Sequence, residues 1–387
     1  TLPFPTRPDT ILPTNITAKY RIQVTGDDAA TLMAYLGDDA ELAYRIEPAK
    51  PFLDGIEILW GESRYQPFSG AFLTLADGGR ADMALTGTTR DGEALSLEWT
   101  CSSPGVSTRL RATFRIRQKS LVIDVAEDAT DGAGRIAGID LGAARGLRQP
   151  RLFWVPYLSY GGRDQDPRIL LSAEGLFMFS QFDWFASQAS RLFGKHGITA
   201  SSGTESAAAV FNGGATYTPK TDGRRNPFRE RLFLNVSPNV YDVLPTVPNP
   251  PSPMREAQCR RQWRVKSGAN HAAEVAEAQR LRALGLDQVT IRYHEDSWRD
   301  AGESFTFRTQ AAPGRGGNPA LKRFVADVQH LGWRVGLYTN YTDYAPVNAL
   351  WDPDWVTRTP DGDWLRAWTR CYAPKPMISV QMQALLA

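Results

Sequence analysis

The stretch VTIRYHED (289–296), with NPALKRFVADVQHLG (318–332) and WRVGLYTNYTDY (333–344) after it, decides the architecture of the C-terminal part of the chain. The first is a short β-branched run ending in ionisable residues. The second is amphipathic, with Leu321, Phe324, Val325 and Val328 at i, i+3, i+4 and i+7, the spacing of one helical face. Asn318 is placed to cap it, Pro319 suits its first turn and Gly332 its end. The third run is again a strand, and it too turns polar and aromatic at its C-terminal end. Strand, helix and strand in this order read as the start of a parallel β/α array. DWLRAWTRCYAPKP (363–376) then reads as a third strand and PMISVQMQALLA (376–387) as the helix after it. Roughly 100 residues cannot complete an eight-stranded (β/α)8 barrel, which takes about 250. The reading therefore expects the catalytic groups beyond Ala387.

Working back from residue 289, His271 to Leu284 reads as a helix capped by Asn270, with Val275, Ala278, Leu281 and Leu284 as its apolar stripe and Gly285 at its end. Alternation then assigns the faces of the strands. Val289, Ile291 and Tyr293 point to covering helices, and Thr290, Arg292 and His294 to the barrel axis. In the next strand Val335 and Leu337 point out, and Gly336, Tyr338 and Asn340 point in. The loop 295–317 is too long and too aromatic for a simple connection, and reads as a substrate-facing wall carrying Asp296 and Trp298.

Upstream, LPTVPNPPSPMRE (244–256) holds five prolines, which makes an extended, semi-rigid linker. It separates residues 1–243 from residues 257–387. The N-terminal part alternates as half-buried strands do. In AKYRIQV (18–24) the apolar set is Tyr20, Ile22 and Val24; in TRLRATFRIR (108–117) it is Leu110, Ala112, Phe114 and Ile116. Similar runs, separated by turn signals such as Asp91–Gly92, give a large antiparallel β-sandwich. NGGATYTPKTDGRRNPFRER (212–231) reads as a long surface hairpin. FSQFDWFASQASRLFG (179–194) breaks the pattern, either as packing or as a loop that brings Asp183 and Trp184 to a substrate.

Composition narrows the function classes. With 42% hydrophobic and 22% charged residues and a net charge of +2, nothing points to a nucleic-acid partner or a membrane surface. No apolar run approaches the roughly 20 residues of a membrane span. Three distant cysteines, Cys101, Cys259 and Cys371, have no zinc-type spacing and read as three buried thiols, the alternative being one bridge and one thiol; no metal and no cofactor is expected. The 11 Trp residues serve as packing or as stacking platforms for sugars. The Pro/Thr-rich start at Thr1 fits a chain exported to the periplasm or the medium.

The stretches LGWRVGLYTNYTDYAP (331–346), WDPDWVTRTPDGDWLRAW (351–368) and CYAPKP (371–376) resemble α-galactosidase-like barrels. A large sandwich, a proline linker and a barrel resemble the retaining glycoside hydrolases that include α-galactosidases, α-glucosidases and endo-α-N-acetylgalactosaminidases, nearest to bacterial glycosidase-like proteins. The resemblance implies a nucleophilic aspartate at the end of a fourth barrel strand. It also implies that His294, Asp296, Trp298, Asn340, Asp343, Arg370 and Tyr372 contact sugar. Glu295 and Asp296, being adjacent, point to opposite faces and cannot flank one bond. The expected function is glycosidase, with this stretch inactive alone; the alternative is a non-catalytic carbohydrate-binding protein.

Overall fold

The computed structural model describes residues 11–13, 16–27, 29–160, 166–199, 207–246, 255, 259–266, 270–294, 298, 310–338, 342–346, 348, 350–368 and 371–386. The chain forms two compact units, Thr1–Pro250 and Pro251–Ala387.

Alternation builds the first unit. In Val106–Arg117 the side chains of Leu110, Ala112, Phe114 and Ile116 are buried, while Arg109, Arg111, Arg115 and Arg117 are exposed. Its neighbour Ala94–Ser103 buries Leu95, Leu97, Trp99 and Cys101 in the same way. These two strands lie in an eight-stranded antiparallel sheet with Ser120–Glu127, Arg229–Ser237 and Phe177–Phe182. A second eight-stranded sheet runs from the edge strand Tyr20–Gly26 through Thr31–Gly37, Glu41–Ile46, Ile56–Trp60 and Ser63–Ser69. The apolar faces of both share one core, in which Tyr35, Tyr44, Ile58 and Tyr65 meet Trp99, Phe114, Ile123 and Leu234. The expected alternation in Tyr20–Gly26 is weaker, because an edge strand has only one neighbour. Tyr20 stays 42% exposed and stacks on Tyr35 with ring centroids 5.0 Å apart.

The segment expected as a surface hairpin does something else. Gly214–Thr216 is an inner strand of a four-stranded antiparallel sheet, between Arg191–Phe193 and Ile136–Asp140. A Cβ at Gly214 would lie 1.9 Å from the Ile139 carbonyl oxygen. Glycine is there for the close approach of two backbones, not for a turn.

The second unit holds a three-stranded parallel sheet, Gln262–Lys266, Val289–Tyr293 and Arg334–Leu337, with Val289–Tyr293 in the middle. The helix His271–Ala283 connects the first two strands and Gly317–His330 the second pair. Gln262–Lys266 was not expected from the sequence, so Val289–Tyr293 is the second parallel strand rather than the first. Asn270 caps its helix by accepting from the amides of Ala272 and Ala273. Gly285 ends that helix at φ +96°, but Leu284 is 67% exposed and leaves the expected apolar stripe. In the other helix Gly316 takes the cap position, and the Asn318 side chain accepts instead from the Ala311 amide at 2.7 Å. Leu321, Phe324 and Val328 pack with Val289, Ile291, Tyr293, Trp298 and Trp333.

The expected third strand is a separate antiparallel pair, Arg366–Trp368 with Cys371–Tyr372. Alternation cannot distinguish a strand in a parallel sheet from one arm of a hairpin. Pro376–Leu386 is helical. Cys101 and Cys371 are buried thiols; Cys259 is exposed, contrary to the expectation for it.

Candidate functional site

In a parallel sheet all strands end at the same edge, so polar residues just past those ends converge. Register places Tyr293 beside Leu337. One residue further on, the His294 and Tyr338 rings stack, 4.8 Å apart and 9° from parallel. The Arg292 guanidinium lies over the same Tyr338 ring at 5.8 Å. Residues 292 and 294 share a face because strand side chains repeat every second residue. Opposite them on the strand, Val289, Ile291 and Tyr293 are at most 2% exposed. The result is a cationic and aromatic corner at the C-terminal edge of the sheet. Leu337 is 39% exposed rather than covered by a helix.

A second layer supports this corner. His271 Nδ1 lies 2.7 Å from the Tyr293 hydroxyl, and the His271 ring stacks on Phe324 at 5.3 Å. Burial pushes the Tyr293 hydroxyl up to about 12, so it keeps its proton. Burial, with the Arg315 charge adding to it, holds His271 below its ordinary value. Among the described residues the other ring nitrogen of His271, the buried Nε2, has no hydrogen-bond partner. Arg264 donates to the buried Glu274 carboxylate at 2.9 Å and anchors the helix that carries His271. Nothing local signals the His271–Tyr293 contact, since only the crossover topology joins residues so far apart. Arg292 and Tyr338 were readable from alternation as inward-facing.

Trp298 is 2% exposed and packed in the helix–sheet core, and among the described residues its indole N–H has no partner. Tyr372 belongs to the hairpin, where its backbone pairs with Tyr344 at 2.9 and 2.8 Å and its ring contacts Trp364 at 5.0 Å. Asp343 immediately precedes Tyr344 and is half-buried. Asp296, Asn340 and Arg370 lie outside the described residues. In the first unit Asp183 is 2% exposed and accepts from the Phe185 amide at 3.1 Å, which makes it a turn residue; Trp184 leans on Phe185 at 5.5 Å. Among the described residues no cluster of three or more His, Cys, Asp or Glu is arranged to hold a metal ion. No helix among them is long and apolar enough to cross a membrane.

No protein-family model and no curated protein sequence matches this chain. Solved structures do. The α-N-acetylgalactosaminidase NagBb from Bifidobacterium bifidum, in its GalNAc complex, superposes with a TM-score of 0.57 at 11% identity over 89% of this chain. The fold of this chain is similar to that of this enzyme. A quadruple mutant of the same enzyme gives 0.54 at 11% identity over 95% of this chain. The GH36 α-galactosidase AgaB from Geobacillus stearothermophilus gives 0.45 at 11% identity over 96%. The chain spans 65% of the length of NagBb in its GalNAc complex and 64% of AgaB.

Proposed function

We propose that this chain is the sandwich and the first part of the catalytic (β/α)8 barrel of a glycoside hydrolase acting on α-linked O-glycosidic bonds in oligosaccharides, polysaccharides or glycans. The observation that carries the reading is the corner where Arg292 and His294 meet Tyr338, at the edge of the sheet where barrel enzymes bind their substrates. The fold likeness to an α-N-acetylgalactosaminidase supports it. Retaining hydrolysis needs two carboxyl groups about 5–5.5 Å apart. Arg292, His294 and Tyr338 supply none, so their proposed role is to hold sugar hydroxyls and a ring face. Asp296, Asp343, Asn340, Arg370 and Tyr372 keep the sugar-contact role that the resemblance implies.

Sugar binding by the chain of residues 1–387 tests this directly. Titration with N-acetylgalactosamine and with methyl α-galactoside, followed by calorimetry and protein NMR, should give dissociation constants of about 1 mM. His294→Ala and Tyr338→Ala should each weaken binding about tenfold. A His294→Ala protein that binds both sugars as the parent does would sink the assignment.

A further inference from the structure

The first unit has a cavity of about 510 Å³ of its own, lined among others by Tyr157, Tyr160, Trp184, Ser187, Ser190 and Arg191. Its volume lies in the range of small-molecule sites, about 300–1,000 Å³. The lining is pre-positioned. The Tyr157 hydroxyl donates to the Pro245 carbonyl at 3.1 Å, which fixes a ring that is 51% exposed. Tyr160 is held through its hydroxyl, which accepts from the Phe182 amide at 2.9 Å, and through its amide, which donates to Asp166 at 2.8 Å. Trp184 rests on Phe185. Ser187 donates to Glu230 at 2.9 Å and accepts from the Ala189 amide at 3.1 Å, while Ser190 accepts from the Thr218 amide at 2.9 Å.

The chemistry selects a ligand class. Fixed aromatic faces beside oriented hydroxyls match a molecule with one C–H face and a rim of hydroxyl groups. An apolar ligand would strip water from the serine hydroxyls without replacing it. An anion would lie close to Glu230, the buried carboxyl that accepts from Ser187. We propose that this cavity is a second saccharide site, taking a neutral pyranose ring against Tyr157 and Trp184. The ligand class rests on the glycoside-hydrolase reading; the site itself uses no residue of the parallel sheet.

The test follows the indole N–H signal of Trp184, assigned by Trp184→Phe, in the full chain titrated with methyl α-galactoside and N-acetylgalactosamine. The expected result is a saturable shift in both the parent and His294→Ala. Tyr157→Ala should weaken that response about tenfold, equivalent to about 1.4 kcal/mol. Tyr157→Phe, which keeps the ring, should stay within about twofold. A Trp184 signal unmoved by either sugar overturns the second site, and so does an unchanged response in Tyr157→Ala. Binding that survives only through His294 leaves the proposed function standing while removing this site. A Trp184 response without any His294-dependent binding does the reverse.

Discussion

Lys119→Ala should cost the first unit about 3–5 kcal/mol, the range for stripping one partner from a buried ion pair. Lys119 sits in the two-residue turn between Val106–Arg117 and Ser120–Glu127, after Gln118 at φ +53°. Turn lysines normally reach into water. This side chain is 1% exposed and meets Asp39 and Asp242, with Ser237 Oγ at 3.3 Å. Asp242 is 4% exposed and accepts from Ser237 at 2.8 Å. Without Lys119 it is an uncompensated buried charge. Asp39 is more exposed and loses less. Burial raises its carboxyl, and the hydrogen bonds from Lys119 and Tyr35 outweigh that, holding it below the ordinary value. The contact also fixes the segment Ser237–Val243, from which the chain enters the proline-rich stretch. Urea unfolding followed by tryptophan fluorescence reads the loss. Lys119→Met with Asp242→Asn should cost clearly less than the two single changes added, because the pair leaves together. A loss under about 1 kcal/mol for Lys119→Ala would place this pair with ordinary surface ion pairs.

Lys119 also shows where sequence reading stops. Period-2 alternation made the strands of the sandwich legible, down to which side of Val106–Arg117 carries arginine and which carries core. It could not say that a turn lysine is buried, since that depends on Asp242, 123 residues away in sequence. The same divide runs through the second unit. The capped helices could be read because their signals are local. Gln262–Lys266 could not, being five residues long and close behind a run of prolines. The hairpin Arg366–Tyr372 imitated a parallel strand because side-chain alternation carries no information about pairing direction. In the candidate site, His294 and its neighbours were readable as one face of a strand. Their convergence on Tyr338 follows from the parallel register, and His271 reaches Tyr293 only through the crossover. Trp298 shows a different limit: alternation and loop length say nothing of its burial in the helix–sheet core, which removes a large apolar surface from water.

Glu230→Gln should reverse its effect on stability between acidic and mildly basic pH. Glu230 is 3% exposed. One oxygen accepts from the Tyr217 and Ser187 hydroxyls, and the other has no partner among the described residues. Burial raises its carboxyl to about 7, against the hydrogen bonds from Tyr217 and Ser187 and with the help of the nearby Asp183. Burial holds Asp183 above its ordinary value as well. An acid whose folded value is raised binds more protons folded than unfolded between the two values. Stability therefore falls as pH rises from the ordinary value of 4.5 to about 7. At 1.36 kcal/mol per unit, that window removes about 3 kcal/mol. The glutamine variant carries no such loss. It does leave amide hydrogens without acceptors, a cost of about 1–3 kcal/mol at every pH. The variant should thus be the less stable protein at pH 4.5 and the equal or more stable one at pH 8. Contributions from the second unit are common to both proteins and cancel in the difference, while the effect of Asp183 on Glu230 is part of what the difference reads. Urea midpoints measured across that range on both chains give the difference curve. A flat difference would mean that Glu230 ionises in the fold as freely as in water, and that a charged carboxylate is tolerated behind Ser187.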